Sequence, residues 1–118
     1  MKQTEHAEQV SLIIWSRLNL GKYPELELLH AIPNGGKRTI GVALKLKAEG
    51  VKPGIPDLFL PVARGDFHGL YLEMKAARGN LSPVQKEVQQ ALRQQGYCVL
   101  TCYNWIEASD SIIKYLGL

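Results

Sequence analysis

The sequence predicts an α/β fold in which helices flank a central mixed four-stranded sheet. The chain has 118 residues and is 46% apolar, which suffices for one hydrophobic core and fits a single domain over residues 1–118. The predicted elements follow the order α, β, α, β, β, α, β, α. Two consecutive strands indicate an antiparallel pair, whereas a helix between the last two strands indicates a crossover connection in the same sheet.

The first helix is predicted from the segment EHAEQVSLIIWSRL, where five apolar residues recur at helical spacing: Ala7, Val10, Ile13, Ile14 and Leu18. Glu5, Gln9 and Ser16 lie on a different side. Because apolar and polar residues separate in this way, the segment is interpreted as an amphipathic helix.

The segment LELLHAI at residues 26–32 is β-like and leads into the turn PNGGKR. A second helix is predicted from about residue 39 to residue 48, because Gly50 and Pro53 then follow it as helix-ending residues. The segments DLFLPV and LYLEMK are interpreted as two strands joined by a connection of hairpin type.

The segment LSPVQKEVQQALRQQG predicts the clearest helix, since Ser82 can cap it, Pro83 suits its first position and Gly96 closes its end. YCVLTCY supplies the fourth strand and WIEASDSIIKYL the last helix. Cys98 and Cys102 are four residues apart in that strand, about 13 Å, which is too far for a disulfide. We therefore expect buried, reduced thiols.

Charge and hydropathy restrict the classes of partner. Lys and Arg number 14 against 11 Asp and Glu, which gives a net charge of +3. This mild excess is compatible with a polyanionic partner without proving one. No apolar run approaches the roughly 18 residues of a membrane span, and the N-terminus lacks the apolar core of a signal peptide. We therefore expect a cytoplasmic protein with no membrane partner.

Acidic and basic side chains meet on the two middle strands. Asp57 stands at the start of one, and Glu73 and Lys75 are two residues apart on the next. Strand periodicity puts Glu73 and Lys75 on one face, about 7 Å apart, within reach of Asp57 on the paired strand. Such a set suits a hard divalent cation and a phosphodiester. The alternative is that these residues form an ordinary solvated strand face, and their spacing alone does not decide.

The longer pattern PNGGKR, EGVKPGIPDLFLP and GLYLEMKAARGNLSPVQ resembles the VRR-NUC family of the PD-(D/E)XK nuclease superfamily, particularly its short stand-alone phage and bacterial members. The resemblance runs from about Glu5 to the C-terminal helix. It implies a PD-(D/E)XK nuclease core, a Mg²⁺ or Mn²⁺ site and hydrolysis of DNA phosphodiesters. It also implies that Asp57, Glu73 and the backbone carbonyl of Met74 are metal ligands and that Lys75 is the catalytic lysine.

The resemblance implies two more site residues, and each of them also has an alternative explanation. The family places an acid in the first helix, and Glu5 is preferred to Glu8 because Gln9 follows it at the spacing E-x-x-x-Q. Acids are also common in the first turn of a helix for purely electrostatic reasons. Gln85 is implied to reach the metal or its water, although its spacing from Ser82 equally fits a capping box.

The turn PNGGKR is interpreted as a DNA-contacting loop beside the metal site. Its glycines allow close approach of the backbone, Asn34 can donate to a phosphate, and Arg38 can make a forked contact with one. Five cations oppose the single acid Glu49 in this part of the chain: Lys37, Arg38, Lys45, Lys47 and Lys52. A solvated helix face is the alternative explanation of these charges.

The leading hypothesis is a Mg²⁺- or Mn²⁺-dependent DNA endonuclease that cuts Holliday junctions as a homodimer. Resolving a four-way junction needs two symmetric nicks, which a twofold dimer can supply, and the resemblance associates short VRR-NUC proteins with this activity. We expect the dimer interface to include apolar surface near Trp15 or Tyr103. The alternatives are a nuclease for flaps or other DNA structures and a DNA-binding module with a vestigial site. A purely structural protein would leave the site residues unexplained.

Overall fold

The computed structural model describes residues 3–33 and 39–118, and its elements follow the predicted order. The helices are α1 Glu5–Leu18, α2 Ile40–Ala48, α3 Pro83–Gln94 and α4 Trp105–Leu116. The strands are β1 His30–Ala31, β2 Leu58–Leu60, β3 Leu70–Met74 and β4 Cys98–Cys102. A 3₁₀ helix, Pro24–Leu28, precedes β1.

The four strands form one mixed sheet, as the sequence predicted, and their order across the sheet is β1-β2-β3-β4. β2 is antiparallel to both β1 and β3, whereas β3 and β4 are parallel. In the β2/β3 pair, Leu58 lies opposite Leu72. Since the two strands run in opposite directions, Asp57 at the start of β2 lies beside Glu73 at the end of β3.

The core lies on one face of the sheet. Leucines of β2 and β3 are completely buried there and pack with α1 and α4 through Leu12, Ile112 and Tyr115. Strand alternation turns Glu73 to the opposite face, where α3 lies against β4. Burial of the apolar face supplies the main stabilisation of the fold, so the opposite face can carry polar chemistry.

Each of the four helices in the described chain begins at a side-chain cap: Thr4, Thr39, Ser82 and Asn104. Each cap accepts a hydrogen bond from a backbone N–H of the first helical turn, a contact that typically stabilises a helix by about 1 kcal/mol. α3 ends as predicted at Gly96, where φ is +90° and a Cβ atom would lie 2.7 Å from the ring of His68.

The predicted apolar side of α1 was wrong for three of its members. α1 instead buries Glu8, Leu12 and Ser16, whereas three predicted members are exposed by 43%, 52% and 80%, respectively: Val10, Ile14 and Leu18. The buried side accommodates polar residues because each has a hydrogen-bond partner. The Ser16 hydroxyl donates to the Ile13 carbonyl, and the Glu8 carboxylate accepts from the backbone of α4.

The predicted strand over residues 26–32 was wrong in its first part. Residues Pro24–Leu28 form a 3₁₀ helix, and only His30–Ala31 pair as a strand. Pro24 explains the difference, since its fixed φ and missing N–H suit the first turn of a helix. The alternating leucines resemble a strand in the sequence, but Leu26 is buried from within the 3₁₀ turn.

The cysteines are free thiols, as expected from their spacing. Cys102 is buried and Cys98 is partly buried. None of the helices in the described part of the chain combines the length and hydropathy needed to cross a membrane.

Candidate active site

Four of the five side chains predicted as catalytic line one cleft of about 790 Å³: Glu5, Asp57, Glu73 and Gln85. They come from the first residue of α1, the start of β2, the end of β3 and the first turn of α3. α2 forms another wall of the cleft through Ala43, Leu46 and Lys47. The fold thus brings together residues that are up to 80 positions apart in the chain.

Asp57 is held against the end of β3 by the backbone. Its Oδ2 accepts a hydrogen bond from the Met74 N–H at 2.7 Å. The N–H and C=O of one strand residue point to the same side of the strand, so the Met74 carbonyl that was predicted as a ligand points towards the Asp57 side. The Met74 side chain is buried in the core, which leaves its backbone as the part that faces the site.

Glu73 is the most deeply buried acid of the site, with only 2% of its surface exposed. Burial raises the pKa of its carboxyl from the usual 4.5 to about 9, and the hydrogen bond with Asp57 and the charge of Asp57 add to this rise. The positive charge of Lys75 lowers the pKa, and the negative charge of Glu5 raises it. At neutral pH the metal-free site therefore holds a proton between two carboxyl groups.

Gln85 forms the capping box that the sequence allowed, and its side chain also contacts Glu73. The Gln85 side-chain oxygen accepts a hydrogen bond from the Ser82 backbone N–H at 2.9 Å. The Gln85 backbone N–H donates to the Ser82 hydroxyl at 3.2 Å, and the two bonds together form a capping box. Its Nε2 donates to Glu73 Oε1 at 3.4 Å. The cap therefore holds the Gln85 amide with its donor directed at the buried acid, and the two interpretations are compatible.

The structure places the two candidate acids of α1 in different surroundings. Glu8 is 8% exposed, and its Oε1 accepts from the Trp105 N–H at 2.9 Å, at the first turn of α4. Glu5 is exposed, lines the cleft and raises the pKa of Glu73 through its charge. This geometry favours Glu5 as the site residue, a role that stays a prediction.

Replacing each of these acids with alanine should separate stability from catalysis. Glu8→Ala leaves the Trp105 N–H without its acceptor, so we expect a loss of about 1–3 kcal/mol of unfolding free energy, with cleavage per folded molecule preserved. Glu5→Ala should lower the cleavage rate at an almost unchanged melting temperature. Thermal melts and initial rates measured on both variants check this. The reverse pattern would assign the site role to Glu8.

Lys75, the fifth predicted catalytic residue, follows β3 directly. Its N–H donates to the Cys102 carbonyl at 2.9 Å, so the backbone pairing extends one residue past the strand. A turn closed by Gly79 packs against its side chain, and a Cβ on Gly79 would lie 3.0 Å from the Ala76 carbonyl and 3.4 Å from Lys75 Cβ. A glycine at this position therefore leaves room for the lysine stem beside the site.

The predicted DNA-contacting residues divide into three groups. Lys47 and Lys52 line the cleft, whereas Lys45 is exposed on α2 and is not among the described residues that line it. The remaining three lie outside the described residues: Asn34, Lys37 and Arg38. Two of the six predicted DNA-contacting residues therefore lie in the same cleft as the acids.

The carboxylate oxygens in the cleft are suitable ligands for a hard cation. In residues 3–33 and 39–118, no group of three or more His, Cys, Asp or Glu side chains is arranged to hold a metal ion. Mg²⁺ is commonly bound through only one or two carboxylates, with water and substrate oxygens as its other ligands. Asp57 and Glu73 offer such a pair, and a bound cation would counter the burial and the Asp57 charge that together keep Glu73 protonated.

Gln89, which lies one turn after Gln85 on α3, was not predicted from the sequence as a site residue. It is 1% exposed, and its Nε2 donates to the Thr101 hydroxyl at 3.2 Å. Arg93, one turn further on, donates to Gln89 Oε1 and to the Val99 carbonyl. The spacing of Gln85, Gln89 and Arg93 could have revealed a polar side of α3 directed at the sheet.

Comparison with known proteins connects this geometry with a family. The model of the VRR-NUC domain family matches residues 2–105. A solved structure described as a VRR_NUC domain protein superposes with a TM-score of 0.82 and 29% sequence identity, covering 99% of this chain and 91% of that chain. No curated protein matches the chain.

The family match and the shared fold make this chain a nuclease-type domain. The chain belongs to the VRR-NUC family, which confirms the family and the fold that the sequence predicted. The family makes DNA the substrate class, and its nucleases generally use divalent metal ions.

Proposed function

We propose that this protein is a Mg²⁺- or Mn²⁺-dependent endonuclease that hydrolyses DNA phosphodiesters in the cleft. The observation that carries the proposal is the Asp57–Glu73 pair. A carboxyl group that is 2% exposed and shares a hydrogen bond with a second acid is a costly arrangement in the absence of a cation. Two lysines on the same cleft supply charge for an anionic substrate.

Asp57, Glu73 and the Met74 carbonyl would hold the ion, which would polarise the phosphoryl oxygen and offset the charge that develops during hydrolysis. Lys75, in its neutral amine form, would position the attacking water and accept its proton as the oxygen bonds to phosphorus. The bond from phosphorus to the leaving oxygen of the DNA strand then breaks, and that oxygen takes a proton from solvent water. Gln85 orients the Glu73 carboxylate through its amide.

Lys47 and Lys52 would bind phosphates next to the scissile one, because they line the cleft that contains the acids. The described residue Ile32 donates its N–H to the Asp57 carbonyl at 2.8 Å, so the chain that precedes the turn PNGGKR passes beside the site. Contacts from Asn34, Lys37 and Arg38 to DNA remain part of the proposal.

We further propose that the active form is a homodimer that resolves four-way junctions. The described part of each chain carries one such site, and twofold symmetry would supply a pair of nicks. The exposed apolar stripe of α1, formed by Val10, Ile14 and Leu18, offers an interface. Tyr103 is 40% exposed and remains a candidate, whereas Trp15 packs partly against the core.

Ile14→Asp should weaken this dimer, because a charge would be buried in the apolar contact. We expect light scattering to show a monomer and junction cleavage to give single nicks in place of paired cuts. Ile113→Asp, an equivalent change on an exposed residue of α4, is the control. A dimer that persists in Ile14→Asp would rule out the α1 stripe as the interface.

Substrate structure is tested with labelled hairpins, flaps, forks and four-way junctions incubated with the protein and Mg²⁺ or Mn²⁺. Symmetric paired cuts in the junction alone would support the resolvase proposal. Preference for flaps or forks would replace it with another structure-selective nuclease. Binding without cleavage of any substrate would favour a DNA-binding module with a vestigial site.

A further inference from the structure

A second groove lies on the opposite side of α3 from the catalytic cleft. It has a volume of about 470 Å³ and runs between α3 and β4, the edge strand of the described sheet. Lys86, Gln90 and Arg93 line it from α3, and Thr101 and Tyr103 line it from β4 and the residue that follows. We call it the α3–β4 groove.

The groove has a fixed polar wall. Arg93 Nη2 donates to the Val99 carbonyl at 2.9 Å and to Gln89 Oε1 at 3.3 Å. Gln89 is almost fully buried and donates in turn to the Thr101 hydroxyl. These contacts hold a guanidinium charge against the strand edge, whereas a free surface arginine samples many rotamers.

The charge of the groove favours an anion. Lys86 and Arg93 line it, and none of the described residues that line it is acidic. Tyr103 adds an aromatic ring that is 40% exposed. Cations beside an aromatic ring suit a nucleic-acid backbone, whose phosphates pair with the cations while a sugar contacts the ring.

α3 separates this groove from the catalytic cleft. Val84 and Gln85 face the cleft, and Lys86 and Gln90 face the groove. A helix with its side chains is about 10–12 Å across, and the major groove of B-DNA is about 12 Å wide and admits an α-helix. Phosphates on the two sides of α3 would therefore match the two strands that border one major groove.

We propose that the α3–β4 groove binds the phosphate backbone of the uncut strand while the scissile strand occupies the cleft. The proposal rests on the proposed nuclease function and adds a second contact surface to it. It makes duplex DNA beside the cut a requirement for tight binding, because a single strand can fill only one of the two surfaces.

The test compares DNA binding by single variants, all made in the Glu73→Gln protein so that DNA is not cut. Lys86→Ala removes a groove cation, and Gln90→Lys adds one. Lys47→Ala removes a cleft cation, and Lys114→Ala removes an exposed cation of α4, across the sheet from α3. Affinities for a labelled four-way junction and a labelled single strand are measured over a series of salt concentrations.

We expect Lys86→Ala to weaken junction binding by about threefold or more and to flatten the salt dependence by about one unit of slope. Gln90→Lys should strengthen junction binding and steepen the slope by about the same amount, an effect that misfolding cannot produce. Single-strand affinity should change less than about twofold in both variants, because a single strand occupies the cleft and contacts no groove cation.

The proposal is overturned if Lys86→Ala and Gln90→Lys both behave like Lys114→Ala. If Lys47→Ala still weakens binding in that case, the cleft keeps its proposed role and only the second surface is lost. If the parent protein binds neither DNA at low salt, the proposed function fails and the groove proposal fails with it.

Discussion

Glu73→Gln should abolish DNA cleavage and at the same time stabilise the metal-free protein at about pH 8. Loss of a metal-binding carboxylate removes several kcal/mol of transition-state stabilisation, so we expect cleavage to fall about a thousandfold or more. The stability gain follows from burial, since the folded wild-type protein must keep Glu73 protonated or accept a buried charge beside Asp57.

The sign of the pH dependence follows from the two states. Unfolded, Glu73 loses its proton near its usual pKa of 4.5, whereas burial raises the pKa in the folded protein to about 9. Between these values the folded state binds the additional proton, so the wild-type free energy of unfolding falls as pH rises. Glutamine does not titrate, and the advantage of Glu73→Gln should grow from about pH 5 to about pH 9.

Thermal melts in EDTA at several pH values measure this gain in stability. Each kcal/mol of unfolding free energy should raise the melting temperature by about 4 °C. Glu87→Gln removes an exposed acid from α3 and serves as the control, with no comparable pH-dependent gain. A Glu73→Gln protein that melts below wild type at pH 8 would contradict the description of Glu73 as a buried, protonated acid. Cleavage that survives in this variant would exclude Glu73 as a metal ligand.

Lys75→Ala should slow the chemical step by about 10²–10⁴-fold, the range expected when a group that transfers protons is removed. DNA affinity should change little, because the proposed contact of Lys75 is with the attacking water. Single-turnover cleavage measures the chemical step, and anisotropy with labelled DNA measures binding. Lys114→Ala, a change on the far side of the sheet, is the control for loss of a positive charge.

A different outcome would reassign Lys75. If Lys75→Ala loses affinity and rate in equal proportion under subsaturating conditions, while the single-turnover rate at saturation is unchanged, the lysine binds phosphate.

Removal of the Lys75 charge should also raise the pKa of Glu73 further, since the lysine charge lowers that pKa. The pH at which metal-dependent activity appears should then move upwards.

The sequence predicted those elements whose ends are marked by local chemistry. α3 is the clearest case, because Ser82, Pro83 and Gly96 determine its start and end through contacts within a few residues. The meeting of Asp57 and Glu73 was predictable for a related reason, since a hairpin-type connection makes β2 and β3 neighbours. Both predictions rest on short separations along the chain.

The remaining features depend on contacts between distant parts of the chain. Glu8 belongs to the buried side of α1 because it accepts from the Trp105 N–H, 97 residues away. The apolar pattern of α1 therefore predicted a helix without identifying its buried side, and Ile14 remained exposed. The polar side of α3 was missed because the partners of Gln89 lie on β4.

The most direct test of the central claim is cleavage of a labelled four-way junction by wild-type protein and Asp57→Asn, each with Mg²⁺, Mn²⁺ or EDTA. Asp57 touches Glu73 and the end of β3, so its amide substitute keeps the shape of the site and removes a charge. We predict cuts by the wild-type protein with either ion, none in EDTA, and none by Asp57→Asn under any condition. Wild-type cleavage that persists in EDTA, or cleavage by Asp57→Asn at the wild-type rate, would contradict a metal-dependent nuclease centred on these two carboxylates.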